Sequence, residues 1–600
     1  MNVEEKITTV VENTIREQAG QPPKAGQVVL QRTRKDFEGD LTLVVFPFVK
    51  ALRRSPEQCA ALLGEAIVRD VEAVTRYNVV KGFLNLTMED AYWHDFLRHH
   101  TNNDRFGLHD QAIDAGSRPV VVEYSSPNTN KPLHLGHIRN NLLGWSVARI
   151  LQAAGRHVKK VNLVNDRGIH ICKSMLAWMK AGEGETLESA GKKGDKLVGD
   201  YYVKFEEALR NQVKELMESQ GMDEETARDN APLMEEAREL LRRWENRDPE
   251  VMKTWRIMNG WVYQGFDETY ERMGIDFDKV YYESDTYLLG RDIVMEGLKQ
   301  DLLYKKEDGS VWADLSGDNL DEKLLLRADG TSVYMTQDIG TAQLRYDDFH
   351  PEKMVYVVGN EQNHHFQVLR KVLKKLGKPY ADAIHHMNYG MVELPYGRMK
   401  SREGTVVDAD DLMDEMVDTA RKTTEELGKT QNFDEAAKKQ LYHQLGLGAI
   451  KYFILKVDPK KNMLFNPEES IDFNGNTGPF IQYTHARICS VQRHAGPERV
   501  EAAAGNTTDV FLHDKEKQLL KSLYDFPGVV MEAADEMSPA RVANYVYDLC
   551  KEFNQFYHDH SILNEPDRHT SDFRLRLAGL TAVTVRNAMT LLGIDVPEKM

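Results

Sequence analysis

The chain has 600 residues, 77 Lys and Arg against 94 Asp and Glu, and a formal net charge of −17 at pH 7. That length exceeds one compact core and calls for about three or four domains. With 41% hydrophobic and 28% charged residues it has the balance of an ordinary soluble globular protein, which excludes collagen-like, disordered and mucin-like chains.

Taken in chain order, MNVEEKITTVVENTIREQ is helical in pattern, with early acids and no apolar core, so no signal peptide is expected there. QVVLQRT, LTLVVFPFV and VVKGFLNLTM suit strands of a small α+β unit, and the polar TNNDRFG and DQAIDAGSR read as a linker. PVVVEYSS is a buried-type strand, HLGHIRNNLLGWSVARILQAAG a long helix stopping at Gly155, and HVKKVNLVND the next strand. Strand, loop, helix, strand is a βαβ unit and predicts a parallel sheet. Residues 180–250 are charged and helical, a solvated insertion rather than a catalytic element. LLLRADGTSVYMT predicts a hairpin turning at Asp329-Gly330, MVYVVG and NYGMVEL predict strands, and helical patterns fill the chain after about Asp410. No apolar run approaches the roughly 20 residues of a membrane helix.

The excess of acid does not exclude RNA, which needs only a local basic track. Residues 1–100 carry about −1 and 476–600 about −4, leaving about −12 in the middle, so the ends permit such contact. Cys59, Cys172, Cys489 and Cys550 lie far apart with no C-x-x-C, which argues against disulfides and thiolate zinc and suits a reducing cytoplasm.

The strongest local signal is Pro127-Asn128-Thr129-Asn130-Lys131-Pro132-Leu133-His134-Leu135-Gly136-His137, where a strand passes into a helix. A helix N-terminus offers unpaired N–H groups and a positive dipole end to phosphates. Gly136 permits close approach of a nucleoside, and His134 and His137 donate hydrogen bonds without a permanent charge. Helix capping is the alternative role. Zinc is disfavoured, because no cysteine or carboxylate stands at ligand spacing.

PNTNKPLHLGHIRNN resembles the H-I-G-H signature of class I aminoacyl-tRNA synthetases, and S-S-P-N-x-x-K-P-x-H-x-G-H-x-R is similar to the arginyl-tRNA synthetase version. GDYYVKFEEA, FDETYERMGIDFD, YMTQDIGTA, VVGNEQNHHFQVL, REGTVV and the closing LLGIDVPEKM extend the likeness over essentially the whole chain. It implies an α/β fold: a Rossmann-like parallel-sheet catalytic domain at 111–385, carrying the insertion at about 180–250. An N-terminal α+β tRNA-elbow-binding domain at 1–110, a mobile-loop and connecting helical region at 386–475, and an all-helical anticodon-binding domain at 476–600 complete it.

The resemblance also distributes roles. The family's K-M-S-K-S loop corresponds to Arg398-Met399-Lys400-Ser401-Arg402, with arginine for the first lysine and Ser401 for the second. Taken alone, that segment reads more readily as a solvated charged turn. With it, His134, His137 and Lys131 stabilise the phosphates; Lys131 substitutes for the missing loop lysine, since any nearby cation can meet the leaving pyrophosphate. Gly136, Met399 and Ser401 join the histidines around ATP. Tyr334 and Asp338, four apart at a predicted helix start, resemble the pair that holds a guanidinium, and Gln362 a substrate-binding glutamine after strand MVYVVG. Glu123 and Asn128 resemble the residues around the α-amino group. Phe83 and Asn85, on one face of FLNLTM, are similar to the segment that meets the tRNA elbow, Phe83 stacking on a base and Asn85 bonding its edge, with a core role as the alternative for Phe83. Tyr483, Arg487, Tyr545, Phe553, Tyr557 and Arg586 supply aromatics and bases for the anticodon, although each one taken singly reads more readily as core than as contact.

The function implied is arginine–tRNA ligase, with partners tRNA(Arg), L-arginine and ATP with Mg2+ as co-substrate. No tightly bound cofactor, structural zinc or membrane is implied, and a cytoplasmic monomer is expected. Rival readings are a cysteinyl or glutamyl ligase and a non-catalytic RNA-binding paralogue. No stretch is left for an editing domain. None is needed, because a pocket built for a guanidinium rejects polar mismatches by roughly 10⁴–10⁵-fold.

Overall fold

The computed structural model describes residues 3–34, 36–109, 116–393, 407–428 and 433–600. At the N-terminus, β1 (Leu30–Arg32), β2 (Leu41–Val44), β3 (Val74–Val80) and β4 (Phe83–Met88) form an antiparallel sheet in the order β1-β2-β4-β3. Helices Val3–Ala19 and Pro56–Asp70 bury Ile7, Val11, Leu63 and Ile67 against it. Lys81 and Gly82, both at positive φ, make the tight β3–β4 turn.

The central sheet is parallel. Its strands are β5 (Val120–Glu123), β6 (Val158–Val164), β7 (Lys279–Tyr282), β11 (Lys353–Gly359) and β12 (Ile384–Tyr389), ordered β12-β11-β5-β6-β7. Both faces are covered, as parallel sheets require. Val120, Val122, Val355 and Val357 enter one core and Val121, Val161, Met354 and Tyr356 the other, the alternation of a pleated strand. Strand order reverses between β5 and β11, and the carboxyl ends at such a switch point form a ligand crevice. The helix Leu135–Ala153 after β5 is buried almost all round, so it lacks the polar stripe of a surface helix. Its Arg139, fully buried, donates to the carbonyls of Met391, Pro459 and Lys461 at 3.3, 3.1 and 2.7 Å, which offsets the desolvation of a buried guanidinium.

Between β7 and β11 a small antiparallel sheet orders β8 (Tyr304–Lys305), β9 (Val311–Ala313) and β10 (Lys323–Leu326) as β10-β9-β8. The turn expected at Asp329-Gly330 forms, with Gly330 at φ 81° and its N–H on the Arg327 carbonyl at 2.8 Å. The second arm is not a strand. After one bridge, Leu326 to Ser332, the chain enters the helix Tyr334–Phe349, whose first turn is tied by the Val333 N–H on Thr336 Oγ1 at 3.3 Å. NYGMVEL divides as well. β12 ends at Tyr389, because at Gly390 the chain passes so near Lys461 that a Cβ would lie 2.5 Å from its carbonyl. β13 (Val392–Glu393) then pairs with β14 (Met463–Leu464).

The charged insertion is helical as expected, over Leu187–Ala190, Gly194–Gln220, Glu224–Asn230 and Pro232–Glu245. It is less solvated than its composition suggests. Glu206 bridges Lys173 and Arg228 at 2.7 and 2.5 Å, and Lys193 reaches Asp410 at 2.6 Å. The C-terminal helices Gly478–Ala495, Asp514–Glu536, Pro539–Asp559 and Arg568–Leu591 pack around Phe526, Phe553 and Phe573. Arg32–Asp525 at 2.8 Å and Arg98–Asp509 at 2.6 Å join them to the N-terminal unit. Among the described residues no helix is long and apolar enough to cross a membrane.

Candidate active site

The segment after β5 delivers His134, in extended conformation, as the N-cap of Leu135–Ala153. Its Nδ1 accepts the Gly136 N–H at 3.1 Å, and the Nδ1 of His137 accepts the His134 N–H at 3.2 Å. With both Nδ1 atoms accepting, each neutral ring carries its proton on Nε2 and has that N–H as its donor. The rings lie 3.9 Å apart between centroids, at 44°. Burial, reinforced by the charge of Lys131, lowers His134 to about 3, and burial with the charges of His134 and Lys131 drives His137 far below the usual imidazole value. Both imidazoles are therefore neutral donors at pH 7, and neither belongs to the wall of the cavity beyond β6 and β7. Lys131 is itself lowered by burial. An alanine Cβ at Gly136 would stand 2.9 Å from His134 Cε1, so this close packing requires a glycine.

One expectation is corrected here. The backbone amides of the helix N-terminus are not free for phosphate: Leu135 N–H binds Val407 O at 3.2 Å, Gly136 N–H the His134 ring, and the His137 and Ile138 N–H groups the His134 carbonyl at 2.8 and 3.0 Å. The imidazole Nε2 groups and the dipole of the helix remain. Arg398, Met399, Lys400, Ser401 and Arg402 lie outside the described residues. The described segments on either side are bonded to the same helix and to the residues leading into it: Arg139 donates to Met391 O, Leu135 N–H to Val407 O, and Ala409 N–H to Leu133 O at 2.9 Å.

A cavity of about 920 Å³ opens at the carboxyl ends of β5, β6 and β7, within the size range of small-molecule sites. Asn128, Tyr334 and Asp338 line it together. Tyr334, 81% exposed, stands at its mouth, and Asp338 sits one helical turn on, bonded to His365 Nε2 at 2.5 Å. Gln362 is exposed just beyond β11, is not part of the cavity wall, and lies three residues before that histidine. Glu123 is buried at the end of β5. It pairs with Arg345 at 2.5 Å and accepts Ser126 Oγ at 2.9 Å; burial raises its carboxyl and Arg345 draws it back.

Two residues that shape this site escaped the sequence reading. Glu283 follows β7 directly, lines the cavity, and is raised to about 7 by burial, against the opposing pull of Arg167. Asp338 adds like-charge repulsion to both Glu283 and Glu123. Glu283 and Asp338 share the cavity wall, and a cation between them would relieve that repulsion. The strand-end position of Glu283 after VYY was the available signal. Arg345, seven residues after Asp338 and hence on the same helix face, was the other.

At the N-terminal sheet Phe83 is partly exposed, edge-on to Phe46 at 5.4 Å and under the Arg34 guanidinium at 5.4 Å. The base-edge bond expected of Asn85 is not offered by this geometry. Asn85 is wholly buried, its amide oxygen taken by Thr42 at 2.7 Å and its nitrogen donating to Asn78 at 2.9 Å, so it braces the strand that carries Phe83. In the helical bundle, Tyr545 and Phe553 belong to the core and Arg586 pairs with Asp104. Tyr483, Arg487 and Tyr557 form a partly exposed cluster, the guanidinium 4.8 and 5.8 Å from the two rings.

Comparison with known proteins identifies the family. Residues 107–466 match the family described as tRNA synthetases class I (R), catalytic domain, and residues 481–600 the DALR anticodon binding domain. The chain is 56% identical to an arginine–tRNA ligase of Bacteroides fragilis and 54% to one of Porphyromonas gingivalis, in each case over 100% of both chains. Among solved structures it is similar to the arginyl-tRNA synthetase of Thermus thermophilus, at 25% identity and a TM-score of 0.79 over 100% of both chains.

Proposed function

The chain belongs to the class I arginyl-tRNA synthetases, enzymes that charge tRNA with arginine, and from that membership we propose how its residues divide the work. Arginine enters the cavity with its guanidinium against Asp338 and Glu283 and its α-amino end near Glu123 and Asn128, with Tyr334 at the mouth and Gln362 beside it. A guanidinium meets paired carboxylates with bidentate, charge-assisted bonds. Lysine leaves one carboxylate unpaired, which is costly in a buried site.

In the first step a carboxylate oxygen of arginine attacks the α-phosphorus of Mg·ATP in line. The new C–O–P bond forms as the bond to the β-phosphate oxygen breaks, and pyrophosphate leaves with its magnesium. No protein nucleophile is needed; positioning and charge stabilisation suffice. His134 and His137 donate through Nε2 to phosphate oxygens, and Lys131 with Arg398, Lys400 and Arg402 offsets the charge of the departing pyrophosphate. In the second step a ribose hydroxyl of the terminal adenosine, the 2′-OH, attacks the adenylate carbonyl and AMP leaves. Adenylate formation requires bound tRNA. Phe83 stacks on an elbow base of the tRNA, and Tyr483, Arg487 and Tyr557 meet the anticodon. The enzyme works as a cytoplasmic monomer.

Two observations support this reading: the neutral imidazole pair that caps the helix after β5, and a cavity beyond the ends of β6 and β7 lined by Asn128, Glu283 and Asp338. ATP–pyrophosphate exchange with each amino acid, with and without total tRNA, tests it. Exchange with arginine only in the presence of tRNA supports it; exchange with another amino acid, or with none, rejects it.

A further inference from the structure

Directly after β5 the backbone takes a course its residues do not favour. Ser125 and Ser126, neither a glycine, both have positive φ, 76° and 46°. Side chains of L-residues resist that conformation, and it persists only where the surroundings over-determine it. Five polar groups of the two serines are held. The Ser125 N–H donates to Asn140 Oδ1 at 2.6 Å and the Ser126 N–H to Asn162 Oδ1 at 2.9 Å. Ser125 Oγ meets Tyr270 Oη at 2.6 Å, Ser126 Oγ donates to Glu123 Oε1 at 2.9 Å, and the Ser126 carbonyl accepts Asn165 Nδ2 at 3.0 Å.

The two asparagines that grip the amides are buried, 7% and 1% exposed. Asn140, on the signature helix, is anchored in turn by its Nδ2, which donates to Val357 O of β11 at 2.7 Å and Tyr389 Oη of β12 at 3.1 Å. Asn162 stands on β6. The turn is therefore clamped from the helix on one side and the neighbouring strand on the other. Glu123 lies two residues before it, and Asn128, in the cavity wall, two residues after.

We infer that Asn140 and Asn162 are positioning residues for the amino-acid site, holding a strained turn whose geometry sets Glu123 and Asn128 against the α-amino end of arginine. The inference rests on the assignment of Glu123 and Asn128 made above. A turn kept only for folding would be met at less strain by glycine; two serines fastened at five points hold a conformation that the site uses.

Glycine reaches positive φ unaided, and that supplies the test. Asn140→Ala and Asn162→Ala each raise the KM for arginine by more than about tenfold while the KM for ATP stays within about twofold. Adding Ser125→Gly to the first and Ser126→Gly to the second returns the arginine KM to within about threefold of the matching serine-to-glycine single variant, the reference that already lacks that hydroxyl, because the turn no longer needs its clamp. If Asn140→Ala does not fold, the Asn162 and Ser126 pair carries the test alone. A KM for ATP that rises in parallel, or an arginine KM that glycine does not restore, overturns the inference, since bonds of Asn140 to β11 and β12 that served stability alone would not be replaced by a glycine at 125. Asn128→Ala, which leaves the turn intact, tests the underlying assignment separately. An unchanged arginine KM there rejects that assignment, whereas a raised one together with failed glycine rescue rejects the clamp.

Discussion

Replacing Gly136 by alanine isolates the cradle from the rest of the fold. The new methyl carbon would lie 2.9 Å from His134 Cε1 and 3.1 Å from Nδ1. Carbon atoms settle near 3.5 Å or beyond, so the imidazole retreats by about 0.6 Å. It has little room to do so, with the His137 ring 3.9 Å away and its own Nδ1 bonded to the Gly136 N–H. Losing that bond costs about 1 kcal/mol, and an off-rotamer ring about 0.5–1.5 kcal/mol more. The fold itself suffers less, because alanine is favoured over glycine in a helix by about 1 kcal/mol, which offsets most of the strain. The loss falls on chemistry: one misdirected donor to a charge-developing oxygen typically costs about 10²–10³-fold in rate. Gly136→Ala therefore reduces arginine-dependent pyrophosphate exchange, with tRNA present, by about 100-fold. The arginine KM stays near the parental value and the thermal midpoint within about 2 °C. Full exchange activity in this variant would refute the cradle.

Lys131→Ala slows adenylate formation by at least about tenfold, read as single-turnover pyrophosphate release; normal turnover removes this lysine from the compensation of the altered loop. Glu283, raised from 4.5 to about 7, keeps a proton in the folded state that the unfolded chain has released. Its contribution to stability therefore falls as pH rises from 4.5 to about 7. Its negative charge is available to a guanidinium only above that window, so kcat/KM for arginine climbs through pH 7 in the parent and is lower and flatter in Glu283→Gln; an identical climb in the variant rejects the role. His134, lowered to about 3, does not titrate between pH 5 and 9, so kcat/KM for ATP shows no inflection near the usual imidazole value of 6.5, and a step there that vanishes in His134→Gln contradicts neutral donors. Phe83→Ala raises the KM for tRNA about tenfold, as loss of one stacked base implies, without moving the KM for arginine; an unchanged tRNA KM makes Phe83 a packing residue only.

The parallel sheet was legible because buried strands such as PVVVEYSS and MVYVVG alternate with helical patterns of the right length. The signature histidines were legible because their motif is local. The fate of the second hairpin arm was not: GTSVYMT has strand-like residues, and what decides for a helix at Tyr334 is the bond from the Val333 N–H to Thr336 Oγ1 together with the packing of Met335 and Ile339 in the second core. The division of NYGMVEL at Gly390 depends on Lys461, 71 positions away, which no local pattern reports. The site was legible in its first layer and opaque in its second. Asp338 and Asn128 stood in recognisable motifs, but the partners that orient the neighbouring groups, Arg345 for Glu123 and His365 for Asp338, become visible only when a helix face and a strand end meet. Asn85 shows the opposite failure. Alternation along FLNLTM put it on the face of Phe83, yet Thr42 and Asn78 close over it.

The most direct test is a crystal structure of the enzyme with a non-hydrolysable arginyl-adenylate analogue. The guanidinium should meet Asp338 and Glu283, with the phosphate mimic within hydrogen-bonding distance of Nε2 of His134 and His137. An analogue whose guanidinium lies outside that acidic cavity, or whose phosphate mimic touches neither imidazole, contradicts the account.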